Sequence, residues 1–128
     1  MHVTMDSETR LAPMPPADPV ANPFTARPAV SVITPFLDAA DFLEEAISSV
    51  QSQTLSTWEL LLIDDGSTDG SSALARDYAA RFPAQIRYFE HAGHGNFGKS
   101  VSRNLGVAHS RGTYLTFLDA DDVLLPHK

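Results

Sequence analysis

The stretch Trp58–Ser71, WELLLIDDGSTDGS, joins an almost unbroken apolar run, Trp58 to Ile63, to an acidic turn, Asp64-Asp65-Gly66-Ser67-Thr68-Asp69. A run that short, stopped by a turn signal, reads as a strand buried on both faces, as in a parallel sheet. Gly66 supplies the turn, and Ser67 and Asp69 are residue types that cap helix N-termini. Leu74, Tyr78 and Phe82 follow at helical spacing as the inner face of a helix, with Pro83 just beyond its end. Strand, acidic loop and helix form one unit, and strand and helix go on alternating on either side of it, with no internal repeat.

Upstream, VSVIT (Val30 to Thr34) is a short apolar run that Pro35 should stop. Asp38 is placed to cap the helix after it, whose apolar stripe is Phe42, Leu43, Ala46, Ile47 and Val50. Downstream, IRYF (Ile86 to Phe89) leads into a glycine loop and a third helix with Val101, Leu105 and Ala108 facing inward, closed by Gly112. TYLTFL (Thr113 to Leu118) is the fourth strand and ends in Asp119-Ala120-Asp121-Asp122. Four strand-helix alternations predict an α/β fold, a Rossmann-like parallel sheet with helices on both faces. All parallel strands end at one edge, which is where such sheets bind ligands. Thr34 to Asp38, Asp64 to Asp69, the glycine loop and Asp119 to Asp122 all fall on that edge.

The remainder of the 128 residues bounds the function. Residues 1–28 hold six of the nine prolines with no sustained period and read as a flexible Pro-rich leader, leaving 29–128 as the folded unit. Sixteen Asp and Glu against nine Lys and Arg give a formal charge of -7, which argues against nucleic acid as a partner. An anionic ligand then needs a metal ion or a few aimed donors. Without cysteine there is neither a disulfide nor a thiolate metal site. No apolar run approaches the length of a transmembrane segment and no signal peptide is legible, so the expectation is a cytoplasmic protein.

Gly93–Ser100, GHGNFGKS, matches both the phosphate-loop and the dinucleotide patterns. Each reading has support, since the loop follows a strand, opens a helix and is followed by a strand ending in Asp119. Both have costs. A phosphate-loop sheet is built mostly after its loop, whereas 28 residues follow Ser100, and a dinucleotide fold normally begins with its glycines. The bland alternative is a connection whose glycines only permit positive φ. His91 and His94 read as surface loop residues, with no third ligand for zinc.

Asp119-x-Asp121 at the end of a buried strand is more informative. Alternate side chains of an extended chain point to opposite sides, so one carboxylate can hold a divalent cation while the other meets another part of the ligand. Oxygen ligands suit Mg²⁺ and Mn²⁺, which complete their shells with water and phosphates. A solvated turn is the plain alternative. Asp64-Asp65 makes a second acidic strand end on the same rim, and two such ends repel unless a cation or donor groups lie between them.

These motifs together resemble the family 2 glycosyltransferases, which have a nucleotide-diphospho-sugar transferase fold of GT-A type. VSVITP, SSVQSQT (Ser48 to Thr54), WELLLIDDGSTDGS and GKSVSRNLGVAHSRGTYLTFLDADD (Gly98 to Asp122) match in order and spacing over residues 30–126. The resemblance implies a nucleotide-diphospho-sugar donor, a UDP-sugar first among them, Mn²⁺ or Mg²⁺ as cofactor, and transfer to an acceptor hydroxyl with inversion. It implies that Thr34, Pro35, Leu37 and Asp38 flank the base, that Asp65 accepts a hydrogen bond from it, and that Asp119 meets the ribose or diphosphate. Asp121 would hold the metal, and Lys99 or Arg103 would approach the diphosphate. Two departures stand out. Leu37 occupies the place of an aromatic that stacks on the base, with Phe36 one position early. The fold is expected to be truncated after the fourth strand, with the general base beyond Lys128; 29–128 would be the nucleotide-sugar-binding half, a fragment that binds donor weakly and does not turn over alone. Peripheral membrane association stays open, and the acceptor is unassigned.

Overall fold

The computed structural model describes residues 27–53 and 57–122; most of the expected leader, residues 1–26, lies outside them. Strand β1 (Val30–Phe36) leads to helix α1 (Leu43–Gln51), β2 (Trp58–Asp64), α2 (Ser71–Arg81), β3 (Ile86–Glu90), α3 (Lys99–His109) and β4 (Tyr114–Phe117). The strand order is β3-β2-β1-β4 and every pairing is parallel, in register Val30 with Trp58 and with Tyr114.

Strand alternation divides the core in two. Val32, Phe36, Leu60 and Leu62 pack on one face with Leu43, Ala46, Ile47 and Val50 of α1 and Ala75 and Tyr78 of α2. Ile33, Leu61, Ile63 and Leu115 pack on the other, where Leu105 and Val107 of α3 cover them. Full burial of each such Leu or Ile contributes about 1.5–3 kcal/mol. The sheet is thus covered on both faces, and β1 and β2 read as near-continuous apolar runs because both of their sides are buried.

Several local expectations change. Pro35 does not stop β1, which runs on to Phe36. Phe36 O accepts from Asp65 N, whereas Ile33 O accepts from Leu118 N, so alternation turns the Pro35 nitrogen toward β4. The β4 pairing ends at Ile33, and no ladder hydrogen bond is lost there. Asp38 does not cap α1, whose N-cap is Phe42 with no side-chain cap. In α2, Ser71, Ser72, Ala75 and Tyr78 are buried, while Phe82 lies past the helix end and is exposed. In α3, Ser102 and Gly106 face the sheet, Leu105 is half-buried, and Val101 and Ala108 are exposed. The helix lies so close that a Cβ on Gly106 would stand 2.4 Å from Ile33 Cγ2. Small residues take the inner stripe for that reason. Gly112 does not close α3, which ends at His109; it lets the chain pass Ser31, whose N and Oγ lie 2.6 Å from where its Cβ would be.

At the N-terminal end of the sheet the fully buried Glu59 carboxylate is held from several sides. It accepts from Ser31 Oγ (2.6 Å), Arg111 N (2.6 Å), Arg87 Nη1 (3.0 Å) and Arg111 Nε (3.4 Å). Gly112 N donates to Ser31 Oγ at 2.8 Å, which ties the approach to β4 into the same network.

Candidate functional site: a cleft at the switch point

With the order β3-β2-β1-β4, the chain moves outward on one side of β1 and then crosses to the other, so the switch point lies between β1 and β4. Parallel sheets open a crevice at the C-terminal ends of the two strands flanking such a point. A cleft of about 520 Å³ lies there, lined by the segment from Pro35 to Ala39, Phe42, Asp65, the glycine loop at Asn96 and Gly98, Lys99, and Asp119 to Asp121. Of the residues nominated from sequence, Pro35, Leu37, Asp38, Asp65, Lys99, Asp119 and Asp121 line it. Two do not. Thr34 is buried, with an Oγ1 that has no hydrogen-bond partner, and Arg103 stands behind Asp119.

The two acids after β2 have separate tasks. Asp64 is fully buried and accepts from Ser67 N (2.8 Å), Tyr88 OH (2.7 Å) and Ser72 Oγ, tying the turn, α2 and β3 together. Burial alone would raise its pKa, but the hydrogen bonds from Ser72, Tyr88 and Ser67 outweigh it and hold the carboxyl below its usual range. Asp64 is architecture. Asp65 turns to the glycine loop: its Oδ1 accepts from Phe97 N (2.7 Å) and Gly98 N (3.1 Å), and Oδ2 lies 3.2 Å from Gly98 N. Gly66, at φ +87°, lets this turn lie against Gly95 and Asn96.

That contact also bears on the double glycine motif. The Phe97 and Gly98 amides, which a phosphate loop would aim at phosphate, are given to a protein carboxylate. The loop moreover follows the edge strand β3 and not a strand at the switch point. Nothing in the arrangement favours a phosphate-loop or dinucleotide reading.

His91 departs from expectation. It is buried, its ring stacks on Phe97 with centroids 4.6 Å apart, and its Nε2 lies 2.9 Å from Ser102 Oγ and 3.7 Å from Asp65 Oδ1. It braces the loop that holds Asp65, a role that no spacing in the sequence signals. His94 is half-buried and bonded at both nitrogens: Nε2 donates to Ser67 O (2.7 Å) and Nδ1 to Glu90 Oε1 (2.9 Å). Both partners accept, so the arrangement favours the imidazolium, and its pKa is raised by the Ser67 carbonyl and then by Glu90. Asp38, at φ +50°, reaches the neighbouring loop, where Oδ1 accepts from Thr68 N (2.7 Å) and Asp69 N (3.3 Å). The loops after β1 and β2 are thereby latched together.

The far wall is acidic with cations behind it. Carboxylate oxygens of Asp119, Asp121 and Asp122 lie within 4.8 Å of one another. Burial and then the charges of Asp121 and Asp119 raise the Asp122 pKa. Lys99 Nζ and Arg103 Nη2 approach Asp119 Oδ1 at 3.4 and 3.5 Å. Neither contact has hydrogen-bond geometry, and Asp119 Oδ1 remains a buried acceptor with no hydrogen-bond partner. We therefore read these contacts as ionic. Three carboxylates with an unsatisfied oxygen fit a hard divalent cation such as Mg²⁺ or Mn²⁺, which takes oxygen ligands.

Among the described residues, no helix is long and apolar enough to cross a membrane.

Comparison with known proteins agrees with this geometry. The model of the family described as glycosyl transferase family 2 matches residues 31–128. Over 95 residues the chain is 45% identical to EpsJ of Bacillus subtilis (strain 168), named an uncharacterized glycosyltransferase, covering 74% of this chain and 26% of that protein. It is 40% identical over 93 residues to a cholesterol galactosyltransferase of Borreliella burgdorferi, covering 73% and 25%. Among solved structures, the mannosyltransferase PcManGT from Pyrobaculum calidifontis, in complex with GDP-Man and Mn²⁺, aligns with a TM-score of 0.68 at 29% identity, over 82% of this chain and 31% of that one. S. aureus TarS 1-349 in complex with UDP-GlcNAc aligns with a TM-score of 0.66 at 25% identity, over 73% and 27%. The chain thus spans about a quarter of the length of these two curated relatives. The sheet order, the helices on both faces and the family match from Ser31 onward agree, and this chain belongs to glycosyl transferase family 2, with a fold of GT-A type.

Proposed function

We propose that the chain carries the donor-binding half of a glycosyltransferase, residues 29–128, and grips a nucleotide-diphospho-sugar in the switch-point cleft with the help of a divalent cation. The observation that carries this is the cluster Asp119, Asp121 and Asp122, in which the buried Asp119 Oδ1 lacks a hydrogen-bond donor, beside Lys99 and Arg103. An anionic diphosphate does not bind to bare carboxylates. A cation between them reverses the local sign.

On this reading Asp121, with Asp119 and Asp122 beside it, holds Mn²⁺ or Mg²⁺, which would supply charge neutralisation for the departing nucleoside diphosphate. Lys99 and Arg103, in ionic contact with Asp119, add positive charge where the diphosphate lies. Asp65, fixed by the Phe97 and Gly98 amides, retains lone pairs to accept from an N–H of the base. Pro35, Leu37 and Asp38 form the lip on which the base rests; Thr34 supports it from within. Transfer with inversion would be a single displacement at the anomeric carbon, with the acceptor hydroxyl deprotonated by a base that is not assigned to any residue here. A UDP-sugar leads as donor. PcManGT was solved with GDP-Man and TarS with UDP-GlcNAc, which supports a nucleoside diphosphate donor. Cytoplasmic location and contact with a membrane surface belong to the same proposal.

Calorimetric titration of the purified chain with UDP, GDP and ATP, each with and without Mn²⁺, tests it. Binding of a nucleoside diphosphate that requires the metal and is lost in Asp121→Asn is expected. Binding of ATP that survives Asp121→Asn but not Lys99→Ala would return the phosphate loop to favour.

A further inference from the structure

Six large hydrophobic side chains are exposed among the described residues: Leu37, Phe42, Phe82, Phe97, Val101 and Tyr114. Of these, Leu37 and Phe42 line the cleft. They come from the β1–α1 connection, whereas Lys99 opens α3 and Asp119 and Asp121 follow β4. The cleft is therefore amphipathic, and so is a nucleoside diphosphate, with a flat base at one end and concentrated charge at the other.

The aromatic at the end of β1 is not available to stack on a ligand. Phe36 is only 3% exposed and belongs to the core shared with α1 and α2. Leu37 offers bulk but no π face. Phe42 offers both, at 52% exposure. Its backbone is fixed, since Phe42 N donates to Ala39 O (2.9 Å), Phe42 O accepts from Ala46 N (3.1 Å), and the next residue, Leu43, is fully buried. Phe82 stacks on Tyr78 and Phe97 on His91, whereas among the described residues no ring or guanidinium covers Phe42. An ordered, uncovered ring on the apolar lip of a charged cleft is placed to stack on a planar ligand.

We propose that Phe42, from the start of α1, is the face on which the donor's nucleobase stacks, with Leu37 as the adjoining apolar contact. This rests on the donor-binding reading above and adds the residue that sets base affinity. The test measures UDP and GDP affinity in the presence of MgCl₂ for the 128-residue chain and its Phe42→Ala, Phe42→Leu and Phe42→Trp variants. Tyr114→Ala, an exposed aromatic at the opposite end of the sheet, serves as control, and circular dichroism checks the fold of each. Stacking on one aromatic predicts a loss of about tenfold or more in Phe42→Ala. It predicts a partial loss in Phe42→Leu, retention in Phe42→Trp and no change in Tyr114→Ala. Indole emission in Phe42→Trp should change on addition of UDP but not of MgCl₂ alone, a signature that a purely structural residue would lack. Wild-type affinity in folded Phe42→Ala, or emission from Phe42→Trp that saturating UDP leaves unmoved, overturns the assignment while leaving donor binding intact. Failure of the wild-type chain to bind either nucleotide removes the donor reading and this one together.

Discussion

The two ends of the sheet treat carboxylates in opposite ways. At the N-terminal end, Glu59 is fully buried and its oxygens are met by Ser31, Arg87 and Arg111. At the C-terminal end, Asp119, Asp121 and Asp122 crowd within 4.8 Å, and the buried Asp119 Oδ1 has two ionic contacts but no hydrogen-bond donor. Charge that the fold itself satisfies is architecture; charge that it leaves short is poised for something from outside. Asp65 is intermediate, because it lies on the ligand edge yet is held by the backbone of the glycine loop.

The largest effect should come from the satisfied end. Glu59→Ala leaves the Ser31 hydroxyl and the Arg111 amide without their acceptor, and breaking a buried pair of this kind costs about 3 kcal/mol. Urea unfolding checks it, and a change under about 1 kcal/mol would mean that the network is not structural. Asp121→Asn should do the reverse, lowering metal-dependent nucleotide affinity by roughly 100-fold, the scale of about 2.7 kcal/mol, with the melting temperature in the absence of metal unchanged or raised. Relief of the repulsion on Asp122 accounts for the sign. If Asp121→Asn instead unfolds the chain, the contrast between the two ends fails.

His91→Ala tests the intermediate case. Removing the ring leaves buried Ser102 Oγ without its partner and frees the loop that holds Asp65, so about 1–3 kcal/mol of stability should be lost. Nucleotide affinity should weaken as well, and loss of stability with affinity unchanged would make Asp65 as purely architectural as Asp64.

His94 supplies the smallest effect. Its pKa is raised in the folded state, so its contribution is complete below the ordinary value of 6.5 and fades as pH rises through the higher folded value. Thermal melts of the wild-type chain should therefore fall gently from pH 6.5 upward relative to His94→Gln. Parallel profiles would show that the clamp on Ser67 and Glu90 adds nothing.

The sequence by itself determined the element types, the parallel sheet and the edge on which the acids gather. Apolar runs ended by Pro, Gly and Asp are set by burial and local backbone chemistry, and both are written in residue order. It also placed Asp65, Asp119 and Asp121 on one rim by their strand-end positions, while Lys99 was nominated through the family resemblance. Only the tertiary structure decided which acids of that rim were already satisfied. Asp64 and Asp65 are adjacent and alike in chemistry, yet one meets Ser72 and Tyr88 and the other meets amides more than thirty residues away. It likewise put Ser102 and Gly106 inward and left Phe42 uncovered, since closeness of approach between helix and sheet is a three-dimensional quantity that no periodicity encodes. Hydrogen-bond satisfaction and exposure depend on partners distant along the chain, and they decide which carboxylates and rings remain open to a ligand.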